Sequence, residues 1–228
     1  RKGDKTSAVE ALKQATNKAK DNNEFRFLFG KTMIENNMFS EGIEELKNVL
    51  KKEPDNTEYR YNLAMGYYLS KNYKAAIQEF NKVYSQDPSN ESALFFAGKS
   101  YQAKKDYQQA IKAFEGCIEK NQNNDKAYYE VPRTYELMEK YDKAIEYYQK
   151  AISINPSIAM AFYRLGYIYK GKNNYKKAIG YFEQFLKIAP EDDLAPEVRD
   201  EIYDLKQAIQ DIEEEEKASR QKKPEEEE

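Results

Sequence analysis

The 228-residue chain has no histidine and no tryptophan, a single cysteine, and only nine glycines and seven prolines. Without His it lacks the commonest metal ligand, the usual general base and the side chain that titrates near neutrality. One Cys excludes an intrachain disulfide, a thiolate metal cluster and a CxxC redox pair. Gly and Pro are too scarce for a collagen-like or low-complexity chain. No run approaches the roughly 18 uninterrupted apolar residues of a membrane span, and the mean hydropathy is −0.99. Excess positive charge is missing too. With 37 Lys and Arg against 40 Asp and Glu, a net of −3, the chain is not built chiefly to neutralise phosphates, and no nucleic-acid partner is expected. These absences point away from catalysis. The length suits one or two ordinary domains with a sizeable core.

Aromatic residues, 20 Tyr and 11 Phe, are abundant, and they recur with a fixed period. Pro54, Pro88, Pro156 and Pro190 stand in a 34-residue register, with Gln122 in the missing slot. Frames 23–56, 57–90, 91–124, 125–158 and 159–192 align the rest. The eleventh position reads Met33, Tyr67, Tyr101, Tyr135, Tyr169, and the seventeenth Phe39, Tyr73, Tyr107, Tyr141, Tyr175. The twentieth reads Gly42, Ala76, Ala110, Ala144, Ala178, and the twenty-fourth Leu46, Phe80, Phe114, Tyr148, Phe182. Apolar residues fall three and four apart within each frame, a polar turn such as Ser70-Lys71-Asn72 divides it, and Pro with capping residues closes it. Each frame therefore predicts two packed helices, with small residues at the eighth and twentieth positions allowing close approach.

This pattern resembles the tetratricopeptide repeat, whose period and Gly, Tyr, Ala, Phe and Pro positions it shares over residues 23–192. The resemblance implies an all-α fold, a right-handed α-α superhelix (solenoid) of antiparallel helix pairs. The fourth position departs from the family's usual Trp: it reads Arg26, Arg60, Leu94, Tyr128, Phe162. Arg stems there are expected to cover apolar surface while their heads stay wet. Ala8, Val9, Leu12 and Ala15 precede Gly42, Ile43, Leu46 and Val49 by one period, so segment 1–22 reads as the second helix of a truncated repeat. The start at Arg1 rather than Met suggests a processed or truncated chain whose array continues upstream. Leu194, Val198, Ile202, Leu205, Ile209 and Ile212 form one stripe, predicting a capping helix over 193–216. Residues 217–228 are expected to be an acidic, disordered tail.

Chemical motifs do not survive inspection. Gly30-Lys31-Thr32 and Gly98-Lys99-Ser100 imitate the end of a phosphate-binding loop, but the leading Gly is replaced by Phe25 and Ala93, and both strings fall in mid-helix. Cys117 stands where other repeats carry Val49, Val83, Ala151 and Phe185, which marks a core residue rather than a nucleophile. No catalytic residue, metal or cofactor is expected. Pro132 occupies the eighth position well inside a first helix, where it removes a backbone bond and costs about 3 kcal/mol or bends the helix; two readings stand, a bend tolerated in a small-residue slot and a kink that opens the groove beside Tyr129 and Arg133.

The family resemblance implies a concave groove lined by first helices. At its inward positions stand Phe27, Tyr61, Phe95, Tyr129 and Tyr163 (fifth), Asn62 and Arg164 (sixth), and Lys31, Met65, Lys99, Arg133 and Tyr167 (ninth). Rigid aromatics and cations together suit an extended or helical peptide carrying acidic groups. Because every fifth position is aromatic, the family's chaperone carboxylate clamp, which opens with Lys there, is not expected. The expectation is a non-catalytic scaffold or adaptor that binds another protein. Its alternatives are a homo-oligomeric subunit of a larger, envelope-associated complex, self-associating through the truncated end, and the interaction module of a longer enzyme. Thirty Lys against seven Arg, with abundant Asn and Tyr, points to an AT-rich, bacterial coding sequence and leaves the compartment open.

Overall fold

The computed structural model describes residues 10–12, 14 and 22–221, and every regular element among them is an α-helix. From Asn23 onward these are α1 (Asn23–Glu35), α2 (Phe39–Lys52), α3 (Thr57–Leu69), α4 (Tyr73–Gln86), α5 (Glu91–Ala103), α6 (Tyr107–Lys120), α7 (Asp125–Leu137), α8 (Tyr141–Ile154), α9 (Ala159–Gly171), α10 (Tyr175–Ile188) and α11 (Ala195–Gln221). The first ten form antiparallel pairs, one pair per frame. The chain divides into two compact units, Arg1–Ala127 and Tyr128–Glu228, with the boundary inside α7. Residues 10–12 and 14 are helical, while most of the half repeat expected over 1–22 lies outside the described residues.

Local chemistry explains the regular lengths. The fifteenth residue of every frame, Asn37, Lys71, Lys105, Glu139 and Asn173, adopts a left-handed conformation with φ between 56° and 63°. That conformation ends the first helix in a two-bond cap. In the second hairpin Lys71 N–H donates to the Tyr68 carbonyl at 3.0 Å and Asn72 N–H to the Tyr67 carbonyl at 2.8 Å. The same pair of bonds recurs in the other four hairpins. At the opposite end, asparagine side chains accept the orphan amides that open the first helices. Asn22 accepts from Phe25 at 3.1 Å, Asn56 from Tyr59 at 3.1 Å, Asn90 from Ala93 at 2.9 Å and Asn124 from Ala127 at 3.0 Å. Before α9 the slot holds Ile158, which makes no such bond.

In the first unit, α1 to α6 each pack on their chain neighbours. Leu46, Phe80 and Phe114, the twenty-fourth residues, are fully buried. A Cβ added at Gly98, an eighth residue, would lie 2.7 Å from the Phe114 ring, so the small slot is what admits the aromatic. The fourth position corrects the expectation of wet arginine heads. Arg26 pairs with Glu45 and Arg60 with Glu79, both at 2.8 Å, and the second pair is only 14% exposed on each side. The acidic partners stand at the twenty-third position, where frame three has Ala113, and its fourth position holds Leu94. One position pair is thus ion-paired in two repeats and apolar in the next.

In the second unit the same pair of positions is aromatic, with the Phe162 and Tyr181 rings 6.4 Å apart. Tyr148, Phe182 and Phe185 are fully buried, and α11 adds Val198, Ile202 and Leu205 to their cluster. Helix α7 continues through Pro132 to the 13-residue length of the other first helices. Helix α11 runs to Gln221, past the expected end at 216, so residues 217–221 are helical rather than disordered. Glu216 and Arg220, four residues apart and 3.5 Å from each other, support that extension. The rest of the acidic tail lies outside the described residues.

Candidate functional site

First helices carry the candidate residues, and the two units treat them differently. In the first unit Phe27 is not a surface residue. It is 8% exposed and stacks on Tyr59 with ring centroids 4.5 Å apart, because α3 packs against α1 at that point. Lys31 sits 6.0 Å above the Phe27 ring, close enough for a cation–π contact. Tyr61 is half-buried, its ring edge-on to Phe80 at 5.7 Å. Burial raises its phenol pKa against a hydrogen bond with Ser92. Met65 is half-buried against the same cluster as Tyr61. Phe95 lies 5.7 Å from Phe96 and 5.5 Å from Phe114, anchored on one side. Asn62 donates to the Glu58 carbonyl of its own helix at 2.9 Å, and Lys99 to Gln102 at 3.3 Å. What the unit offers is an apolar, partly covered strip with two lysines on it.

The second unit binds its own candidates into a polar network. Arg164 donates from Nε to the Tyr129 hydroxyl at 3.4 Å and lies 3.9 Å from Glu136, which also accepts from Tyr148. Burial, followed by the Glu136 charge, pushes the Tyr148 phenol well above its ordinary range. Arg133 reaches Glu130 at 3.3 Å. Tyr163 and Tyr167, ring centroids 4.9 Å apart, both donate to the Glu197 carboxylate of α11, at 3.3 and 2.6 Å. Burial and then the bond to Glu197 raise the Tyr167 pKa. Lys170 of α9 pairs with Glu201 of α11. Sequence reasoning overlooked Glu197 and Glu201. Glu197 follows Tyr163 by one 34-residue period, so extending the register past Pro190 would have found it.

Among the described residues no three His, Cys, Asp or Glu side chains are placed to hold a metal ion, and no helix is long and apolar enough to cross a membrane. Cys117 is fully buried, and desolvation, with Glu91 adding to it, pushes its thiol up to about 12. A thiol so placed stays protonated at neutral pH and is a core group.

Residues 6–207 match the family model of the tetratricopeptide repeat protein 21 C-terminal ARM domain. The chain belongs to the tetratricopeptide repeat family. Among solved structures, a crystal structure of MamA is 30% identical, covers 71% of this chain and 95% of its own, and superposes with a TM-score of 0.64. A MamA fragment from Desulfovibrio magneticus RS-1, 22% identical, covers 76% of this chain and 98% of its own with a TM-score of 0.66. YrrB, described as a TPR protein with an unusual peptide-binding site, is 20% identical, covers 84% and 99%, and gives 0.61. These last two show likeness of fold. No curated protein matches the sequence.

Proposed function

We propose that this repeat protein is a non-catalytic interaction scaffold whose first unit holds an acidic, apolar peptide segment of another protein. The observation that carries this reading is the contrast between the units. On α3 and α5, Tyr61, Met65 and Phe95 are half-buried against core rings, with apolar surface left over and Lys99 alongside. In the second unit Tyr163 and Tyr167, at the positions of Phe95 and Met65, both donate to the chain's own Glu197 carboxylate. A preformed strip of rigid aromatics and cations binds with little ordering cost on its own side. The fold likeness to YrrB, described as having a peptide-binding site, suits a peptide as the partner class.

The test compares capture of partners from the native cell by the wild-type chain and by a Met65→Glu, Lys99→Glu variant that circular dichroism shows to be folded. Lys112→Glu, on an exposed face of α6, serves as the charge control. A protein captured by wild type and by the control, but reduced about tenfold or more in the paired variant, supports the reading. Equal capture by all three would move the contact away from this strip.

A further inference from the structure

A cleft of about 290 Å³ opens at the turn edge of the second unit, lined by Glu136, Tyr141, Tyr167, Ile168, Gly171 and Lys172. The repeat register explains why it is there. Gly171 is a thirteenth residue, the slot that Glu35, Leu69, Ala103 and Leu137 fill in the other frames. A Cβ added at Gly171 would meet nothing within 4 Å. Tyr141, whose ring borders the gap, is 46% exposed, whereas the aromatics at its position in the other four hairpins are half-buried. Leu137, the last residue of α7, is 47% exposed. One absent side chain thus leaves the Tyr141 ring uncovered beside the buried Ile168.

The charges around the cleft are unequal in their commitments. Glu136 accepts from Tyr148 and faces Arg164, so its carboxylate is already answered from within. At the rim Lys172 holds Asp142 at 2.8 Å, but the Asp142 side chain is 90% exposed. Pairs that open to water are weak and exchange readily. The volume is at the lower end of what small-ligand sites offer, about 300 Å³ upwards, and suits one large side chain.

We propose that this cleft receives a single bulky apolar side chain from a protein partner, and that a neighbouring carboxylate of that partner replaces Asp142 on Lys172. The site uses none of Tyr61, Met65 and Phe95, so it and the first-unit strip fail separately. The probe is the dipeptide Ac-Phe-Asp-NH2, titrated into the full ¹⁵N-labelled chain, with Ac-Phe-Lys-NH2 and Ac-Ser-Asp-NH2 for comparison. Saturable amide shifts are expected at the α7–α8 turn and the end of α9. They should weaken about threefold with the Lys peptide and about tenfold or more with the Ser peptide. Gly171→Leu, which places there the residue that frames two and four carry, should keep the thermal midpoint and abolish the shifts. Lys172→Gln should keep binding of both Phe peptides and equalise them. Undiminished shifts in Gly171→Leu, shifts scattered over the chain, or no saturation with the wild type would each overturn the proposal.

Discussion

Gly166 and Gly180 are both helical, in neighbouring helices of the second unit, and the same substitution should move stability in opposite directions at the two. A Cβ at Gly166 would lie 2.4 Å from the Phe182 ring, which is fully buried and cannot yield cheaply. Gly166→Ala is expected to lose about 1–3 kcal/mol, since overpacking outweighs the helix-propensity gain. At Gly180 nothing lies within 4 Å of the added carbon and the residue is exposed. Gly180→Ala should therefore gain up to about 1 kcal/mol. Thermal melts of the two variants decide the matter: a shared sign would mean that the ring contact does not control the slot. The sequence showed that the eighth position wants a small residue, because Gly30, Ala64, Gly98 and Gly166 recur there. It did not show which aromatic fills the space, since ring direction is settled by packing. Phe27 illustrates the same limit. Its register matched the groove residues, and only the stacking of Tyr59 on it reveals a core residue.

At the scale of the element, the hairpin turns reward attention to what is not glycine. All five left-handed residues carry side chains, and Glu139 sits at φ 58°. L-residues pay about 1–2 kcal/mol in that region while glycine does not. Glu139→Gly is expected to raise stability by about 0.5–1 kcal/mol, after allowance for the extra freedom glycine gives the unfolded chain. Chemical denaturation with an unchanged m-value is the check, and a destabilised variant would mean that the cap bonds depend on the Glu side chain. The antiparallel helix pairs between residues 23 and 192 were legible from the period, because periodicity reports which face each helix buries. Their ends were less so. Lys71 and Lys105 look like ordinary turn residues, and the left-handed geometry is imposed by the two bonds that close the helix. The last helix outran its apolar stripe because charged neighbours can extend a helix that packing no longer supports.

Across the whole molecule the two units differ in charge and in how their seams are closed. Residues 1–127 carry 21 Lys and Arg against 18 Asp and Glu, a net of +3, while residues 128–228 carry 16 against 22, a net of −6. Repeat arrays distribute stability over units that interact only with their neighbours, so unequal seams should open unequally. The ion-paired seams of the first two repeats are costly to desolvate, and aromatic seams are not. Native-state hydrogen exchange should therefore show the amides of α1 to α4 opening at lower free energy than those of α9 and α10. Uniform protection would sink that expectation. The candidate site was legible in part. Periodicity placed aromatics and cations on first helices, but only side-chain geometry shows that Arg164, Tyr163 and Tyr167 are engaged within the chain.

Cys117 has one more consequence. It is the sole thiol of the 228 residues, fully buried in α6 with its carbonyl neighbour Glu91 3.7 Å from the sulfur. Sealed and protonated, it can react with an aqueous disulfide reagent only when the hairpin around it comes apart. The native chain thus carries its own stopwatch. The rate of its modification reads out how often the middle repeat opens, and a bound partner that slows the colour change would announce itself without a label.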